Sequence, residues 1–209
     1  MKLIDLDVKA FIDEVDSSKP APGGGSVSAL VSTIGVALTK MVGHLTIGRK
    51  AYLALNDEIR SDYELNFKIL SELKDLIMPL VDEDTEAFNG IMAAYKLPKE
   101  TLEEQAARKL AIEEATIKAI EVPMQVAELS FKALQMIGNM VENSNKNAIS
   151  DIGVGVLLLY SGLEGAILNV KINLSGLEKG HDYSQRVLEL LTEGKKVRDE
   201  LLNRVHNLI

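Results

Sequence analysis

Apolar residues recur three and four positions apart along most of the chain, which is the spacing of one face of an α-helix. The alternating pattern of a half-buried strand is not found. Glycine, proline and asparagine interrupt the helical spacing near residues 20–25, 48–56, 96–99, 122–123, 138–147 and 177–182. We therefore predict an all-α fold, an up-and-down bundle of about seven helices with one or two of them fully buried.

The uninterrupted segments place these helices at about residues 7–15, 27–45, 56–95, 101–121, 123–139, 148–174 and 182–206. Pro79 is expected to kink the long third helix. Thr101 and Glu104 have the spacing of a capping box at the start of the fourth. Pro123 suits the first turn of a fifth helix. No linker divides these segments, so residues 1–209 are predicted to form a single domain.

The second and sixth helices each carry two faces that could be buried. The second has an apolar stripe that includes Ile34 and Met41, and its opposite side consists of small residues such as Ser28, Ser32 and Gly35. Small residues at helical spacing let another backbone approach closely, so both faces are expected to be buried. This is more buriable surface than seven helices in one bundle need, and it predicts a homodimer.

Composition and charge exclude several classes of function. The formal net charge of −8 argues against a nucleic-acid partner. The chain has no cysteine and three widely spaced histidines, so no metal site is expected. Charged residues interrupt the apolar stretch at 149–177, which favours a buried helix over a membrane span. The first residues are acidic where a secretory signal would be apolar, so we expect a cytoplasmic protein.

The segment PAPGGGS at residues 20–26 lies directly before the second helix. Its three glycines let the backbone approach a ligand, and the free N–H groups of a helix start favour an anion or a carbonyl group. A turn between two helices explains the same residues. Pro22, Gly23, Gly24, Gly25 and Ser26 are therefore candidate binding residues, with the plain turn as the alternative.

The acidic segment DEDTE at residues 82–86 contains one carboxylate in an unusual place. At 100° per residue, Asp84 falls on the apolar side of its helix, seven residues after Ile77, whereas Asp82 points outward. A carboxylate on an apolar face needs a partner or a proton. Asp84 is either a structural aspartate paired across helices or a functional acid.

Further polar candidates lie on the sixth helix and before the third. Asp151, Asn169 and Asn173 share one glycine-rich side of the sixth helix, where amides either satisfy neighbouring backbone groups or line a cleft for a flat heterocycle. Arg49 and Lys50 are ordinary surface charges or contacts for an anionic substrate. The sequence has no pattern typical of a bound NAD, flavin or pyridoxal phosphate.

Six segments together resemble the C-terminal domain family of formiminotransferase-cyclodeaminase. They occur in the family's order and cover nearly the whole chain: PAPGGGS at 20–26, TIGRK at 46–50, DEDTEAF at 82–88, KLPK at 96–99, SDIGV at 150–154 and NVKINL at 169–174. Residues 143–147 depart from the family pattern, which weakens the case for Lys146 as a substrate contact. The formiminotransferase half has no counterpart in this sequence.

The resemblance implies an all-helical homodimer that acts on one-carbon adducts of tetrahydrofolate. One branch of the family converts 5-formiminotetrahydrofolate to 5,10-methenyltetrahydrofolate and ammonia. Another branch hydrolyses the methenyl form to 10-formyltetrahydrofolate. Both reactions centre on the carbon between N5 and N10, and the sequence does not choose between them.

The family also implies roles for particular residues of this sequence. Its catalytic acid lies in the Asp-rich segment and is carried onto Asp84, partly because of the helical geometry above, while Asp82 is placed among the substrate contacts. The tetrahydrofolate derivative is expected as a substrate, with no separate cofactor. A non-catalytic helical adaptor or folate-binding protein is the alternative from a different class, but it gives no reason for Asp84 on an apolar stripe.

Overall fold

A computed structural model describes residues 2–177 and 183–209, and within them it contains helices and no strand. The helices are α1 (Val8–Val15), α2 (Gly24–Thr46), α3 (Lys50–Leu53), α4 (Asp57–Ile77), α5 (Leu80–Tyr95), α6 (Leu102–Ile137), α7 (Ile149–Leu174) and α8 (Tyr183–His206). Short 3₁₀ turns lie at Leu3–Asp5, Gly138–Met140 and Lys146–Ala148. The predicted all-α class is confirmed.

Helices α2 and α7 lie side by side at the centre of the bundle and run antiparallel. Close contacts join Ser28 to Gly165, Ser32 to Gly162 and Thr39 to Gly155, so the start of one helix meets the end of the other. A Cβ atom added at Gly162 would lie 1.9 Å from Ser32 Oγ. The predicted close approach of small residues is therefore confirmed, and it occurs between these two helices.

The remaining helices surround this pair and complete the core. α6 packs against α7, α8 packs against both, and α4 and α5 lie along α2. The apolar stripe predicted for α7, from Ile149 to Val170, is buried. The last helix was predicted to begin at Asp182, which lies outside the described residues together with His181 and the rest of 178–182.

Two predicted boundaries are wrong, and both involve proline. The long helix expected over 56–95 is two helices, because the chain breaks at Met78 and Pro79. Conversely, Pro123 does not begin a helix but lies buried inside the continuous helix α6. A proline removes one backbone hydrogen bond, and here burial of neighbours such as Ile120 and Ala127 outweighs that loss.

The second and sixth predicted helices are not fully buried within one chain. Helix α2 exposes Ile34, Met41 and Leu45, and α7 exposes Val154, Leu157, Leu168 and Ile172, each with 36% to 67% of its surface accessible. We call these seven residues the apolar face. Both faces of α2 were predicted to be buried, but within one chain only the small-residue face lies in the core and the apolar stripe is partly exposed.

By length and composition alone, two segments could cross a membrane: Gly24–Thr46 and Lys146–Leu174. In each, 56% of the apolar window is buried inside the protein. The core helices of a bundle pass the same test, and these two are its central pair. Their hydropathy is explained by the core together with the apolar face.

Candidate active site

Asp84 lies against the N-terminus of α2, although 58 residues separate it from its partner there. Its Oδ2 atom accepts a hydrogen bond from the backbone N–H of Ser26 at 2.8 Å and another from Ser26 Oγ at 3.1 Å. The Ser26 hydroxyl also lies 3.0 Å from Thr85 Oγ1. Gly23, at the N-cap position, has no side chain to bind the free N–H groups. Asp84 takes over that capping role from another helix.

The surroundings of Asp84 act on its protonation in opposite directions. Burial raises the pKa of the carboxyl group above its usual range, and the hydrogen bonds from Ser26 lower it only in part. Oδ1 accepts no hydrogen bond from the part of the chain that the structure describes, and the side chain is half-buried rather than enclosed. A carboxyl group with a raised pKa and a free oxygen can exchange a proton with a bound molecule.

Gly25 makes this position of Asp84 possible. A Cβ atom at residue 25 would lie 2.0 Å from Asp84 Oδ1 and 2.4 Å from the carboxyl carbon. Real atoms do not approach so closely, so any side chain at residue 25 would displace the carboxylate. The glycine is required because of this close approach to Asp84, whereas the sequence predicted an approach to a ligand.

Asn169 reaches the same place from α7. A Cβ atom added at Gly24 would lie 3.0 Å from Asn169 Nδ2, and that amide donates to the carbonyl of Gly165 at 2.9 Å. Among the described residues, the N–H groups of Gly24 and Gly25 have no acceptor. Two free backbone donors thus lie beside one carboxylate and one amide, a set that can hold a polar heterocycle.

Two predicted substrate contacts are engaged in the fold instead. Asp82 accepts hydrogen bonds from the backbone N–H groups of Leu3 and Ile4, so it fixes the first turn of the chain. Asn173 donates to the carbonyl of Ala119 on α6 at 2.7 Å. Each therefore has a structural partner, and its contact with substrate stays a prediction.

Three more predicted contacts lie at the opposite end of the bundle. Arg49 and Lys50 are exposed at the start of α3, and Asp151 is in the first turn of α7. Helix α2 alone separates the two ends by about 33 Å, at 1.5 Å per residue. Within one chain, these residues do not meet Asp84.

A cavity of about 710 Å³ at that far end was missed by the sequence reasoning. Its lining includes Thr46, Arg49, Tyr52 and the segment 142–147. Asn145 donates its backbone N–H to Thr46 Oγ1 at 2.9 Å and caps the following turn. The asparagines of 143–147 therefore have the turn role that the sequence suggested, and they also present amides to the cavity.

Metal binding has little support in the described residues. They contain no group of three or more histidine, aspartate or glutamate side chains placed to hold an ion. Asp84 is surrounded by Ser26, Thr85 and glycine backbone, which are hydrogen-bonding groups.

Most of the chain is similar to known proteins. A sequence model of the formiminotransferase-cyclodeaminase family matches residues 7–193. This chain belongs to that family. A methenyltetrahydrofolate cyclohydrolase from Methylorubrum extorquens is 38% identical over 183 residues, which cover 88% of this chain and 86% of that protein.

Two further relatives of the chain confirm the resemblance seen in its motifs. The formimidoyltransferase-cyclodeaminase of Rattus norvegicus is 34% identical over 196 residues, covering 92% of this chain and 36% of that protein. This family member therefore spans about a third of the length of the rat protein. The crystal structure of formiminotetrahydrofolate cyclodeaminase from Thermotoga maritima matches with a TM-score of 0.78 and 27% identity, covering 98% of this chain and 96% of that one.

Proposed function

We propose that this chain is a folate one-carbon enzyme that acts at the carbon between N5 and N10 of tetrahydrofolate. Two reactions of this kind are named among its relatives, hydrolysis of the methenyl form and ring closure of the formimino form. The observation that carries the proposal is the half-buried carboxyl group of Asp84, with one free oxygen beside two free backbone N–H groups.

For hydrolysis of 5,10-methenyltetrahydrofolate, water adds to the cationic carbon and gives up a proton to Asp84. The hydroxyl group then loses its proton and becomes the formyl carbonyl as the bond from this carbon to N5 breaks. N5 takes up one proton, and the formyl group remains on N10. The net products are 10-formyltetrahydrofolate and one proton. The higher identity to a cyclohydrolase of matching length supports this reaction as the first to test.

For 5-formiminotetrahydrofolate the same groups run a ring closure. N10 attacks the carbon of the protonated formimino group and loses its proton to Asp84, which leaves an amino group on that carbon. Asp84 then gives this proton to the amino group, the carbon–nitrogen bond breaks, and ammonia leaves. The product is 5,10-methenyltetrahydrofolate. The single carboxyl group of Asp84, whose pKa burial raises, serves both proton transfers.

A pair of spectrophotometric assays tests the proposal. Purified protein is mixed with 5-formimino- and with 5,10-methenyltetrahydrofolate, and formation or loss of the methenyl chromophore is followed. We expect turnover of at least one substrate. Tight folate binding without turnover of either would instead support the non-catalytic folate-binding alternative, and neither binding nor turnover would support a helical adaptor.

A homodimer is part of the proposal, with the apolar face as its interface. On α7 the exposed positions 154, 157, 161, 164, 168 and 171 recur three and four apart, the spacing of a seam that packs against another helix. Glu164 and Lys171 interrupt this seam. A charged side chain that faces lipid costs several kcal/mol of free energy, whereas at a protein interface it can find a polar partner. A second copy is therefore a better occupant than a bilayer.

The dimer also gives a role to the residues at the far end. Because α2 and α7 are antiparallel, a two-fold axis near Ile34 would place Arg49, Lys50 and Asp151 of one chain beside Asp84 of the other. Their predicted contact with substrate stays a prediction that requires this second chain. No metal or cofactor enters the proposed chemistry, and a cytoplasmic location is proposed with it.

A further inference from the structure

A groove of about 320 Å³ between α2 and α4 collects positive charge on an otherwise acidic protein. Lys40, His44 and Lys74 line it together with the apolar side chains of Ala37, Met41 and Leu45. We call it the basic groove. None of these residues takes part in the site at Asp84.

Lys40 is held in one position although it has no acidic partner among the described residues. Its Nζ donates to Ser71 Oγ at 2.6 Å and lies 4.2 Å from the centre of the Phe67 ring. That ring is fixed in turn, since it packs directly on Gly43 and meets His44 edge-on at 4.9 Å. A half-buried ammonium group that is pinned by neutral groups is ready to receive an anion.

Lys74 adds a second positive charge at the rim. It has one acidic neighbour, Asp75, at 3.1 Å, and that carboxylate is 66% exposed. Burial and then the Lys74 ammonium group lower the pKa of Lys40, while the Asp75 carboxylate raises it. The two ammonium groups therefore repel each other, and Asp75 offsets part of this repulsion. An anion between them would relieve this repulsion.

We infer that the basic groove binds the carboxylates of the glutamyl tail of the folate substrate. The inference rests on the proposed function and names a second contact region for the same substrate. Lys40 lies fifteen residues after Gly25 on the continuous helix α2, which is about 22 Å at 1.5 Å per residue. A folate with several γ-linked glutamates carries its last carboxylates far enough from the reacting carbon to span this distance. Met41 and Leu45 also belong to the apolar face, so the groove opens at the edge of the proposed dimer interface.

The test compares Lys40→Met and Lys74→Gln with Lys68→Gln, which removes an exposed lysine from another side of α4. Each is assayed with methenyltetrahydrofolate that carries several γ-linked glutamates and with an analogue that lacks glutamate. For the first substrate we expect the two groove variants to raise KM about tenfold with kcat unchanged. The analogue and the Lys68→Gln variant should show no change. Equal KM values in all variants would overturn the inference.

A binding experiment separates this inference from the proposed function. Titration calorimetry measures the affinity of aminobenzoyl-tri-γ-glutamate, which has no reacting carbon. If wild type binds this compound and Lys40→Met and Lys74→Gln do not, the inference about the groove is supported. This holds even if no folate is turned over, and in that case only the proposed function fails. If folates are turned over but the affinity for aminobenzoyl-tri-γ-glutamate is the same in wild type and in both lysine variants, the proposed function is supported and the inference about the groove is contradicted.

Discussion

Asp84 does two things that are usually done by different residues. It caps α2 through Ser26, and it keeps one oxygen free on a side chain whose burial raises its pKa. Helical phase from Ile77 was enough to predict that this acid lies on the apolar side. The same reasoning could not predict that Asp84 binds Ser26. Helical periodicity shows which side of its own helix a residue lies on, but not which other helix that side contacts.

Burial of Asp84 leads to a pH-dependent stability difference for Asp84→Asn. The folded state disfavours the charged form, so the contribution of Asp84 to stability is fully present below its unfolded pKa and is lost as pH rises through the folded pKa. Asparagine has no charge to bury and can still accept from the Ser26 N–H. We therefore expect the melting temperature of the variant, relative to wild type, to increase as the pH rises above about 4, the ordinary carboxyl value.

Thermal unfolding monitored by circular dichroism across this range provides the measurement. Asp62→Asn, which removes an exposed carboxylate from α4, corrects for the loss of one negative charge. A difference that is constant or that falls with pH would contradict the burial argument.

Gly25→Ala is expected to damage the site more than the fold. The new methyl group would meet Asp84 Oδ1 at 2.0 Å, so the carboxylate must move. A shift of about 1 Å can cost roughly 10²-fold in rate. Gly24→Ala should be milder, because its methyl group meets the end of the Asn169 side chain at 3.0 Å and that side chain can turn away.

Steady-state assays and thermal unfolding of the same preparations distinguish these effects. Gly90→Ala is the control, since nothing lies within 4 Å of its added methyl group. If Gly25→Ala kept wild-type turnover, the PAPGGGS segment would return to the role of a plain turn.

The central pair α2 and α7 shows which features of a helix can be predicted from sequence. The small-residue stripes predicted close packing, and the structure joins the two stripes to each other. The same pattern could not show that the larger apolar stripe of α2 faces outward, since hydrophobicity alone sends large side chains to the core. Pro123 was predicted to begin a helix because proline disfavours helix interiors. In the structure it lies inside α6, where burial of the surrounding residues outweighs this local preference.

Gly162→Ala tests the packing of this pair. The added methyl group would lie 1.9 Å from Ser32 Oγ and 2.8 Å from the carbonyl oxygen of Ser28, so the helices must separate. Overpacking of this kind typically costs about 1–3 kcal/mol, which chemical denaturation would show as a lower free energy of unfolding. In Gly90→Ala, on an exposed helix surface, alanine should instead increase stability by up to about 1 kcal/mol. Equal stabilities of Gly162→Ala and wild type would mean that the helices are not in close contact.

At the level of the whole molecule, the proposed homodimer would account for both the apolar face and the separated polar residues. A single chain leaves seven large apolar side chains exposed on α2 and α7. It also keeps Arg49 and Asp84 at opposite ends of α2, about 33 Å apart. The sequence placed the excess surface on these two helices but could not show which face stays exposed, because that depends on how α4 and α6 cover the other sides.

The homodimer can be tested by light scattering at micromolar concentration. We expect the mass of two chains for wild type and of one chain for Leu157→Lys, because a lysine in the centre of the seam would be buried without a partner. Leu188→Lys, on the exposed surface of α8, should remain dimeric. A monomeric wild type would contradict the proposed interface. It would also exclude contact of Arg49 with a substrate bound at Asp84, because that contact requires a second chain.

The most direct measurement of the central claim is the turnover number of Asp84→Asn beside that of Asp82→Asn, with whichever folate the wild type converts. Removal of a general acid–base should lower kcat by about 10²-fold to 10⁴-fold while folate affinity stays within a few fold. Asp82→Asn should keep its activity, since Asp82 holds the first turn of the chain and asparagine can still accept those hydrogen bonds. Near wild-type kcat for folded Asp84→Asn, or loss of activity in Asp82→Asn alone, would contradict the assignment of the proton transfer to Asp84.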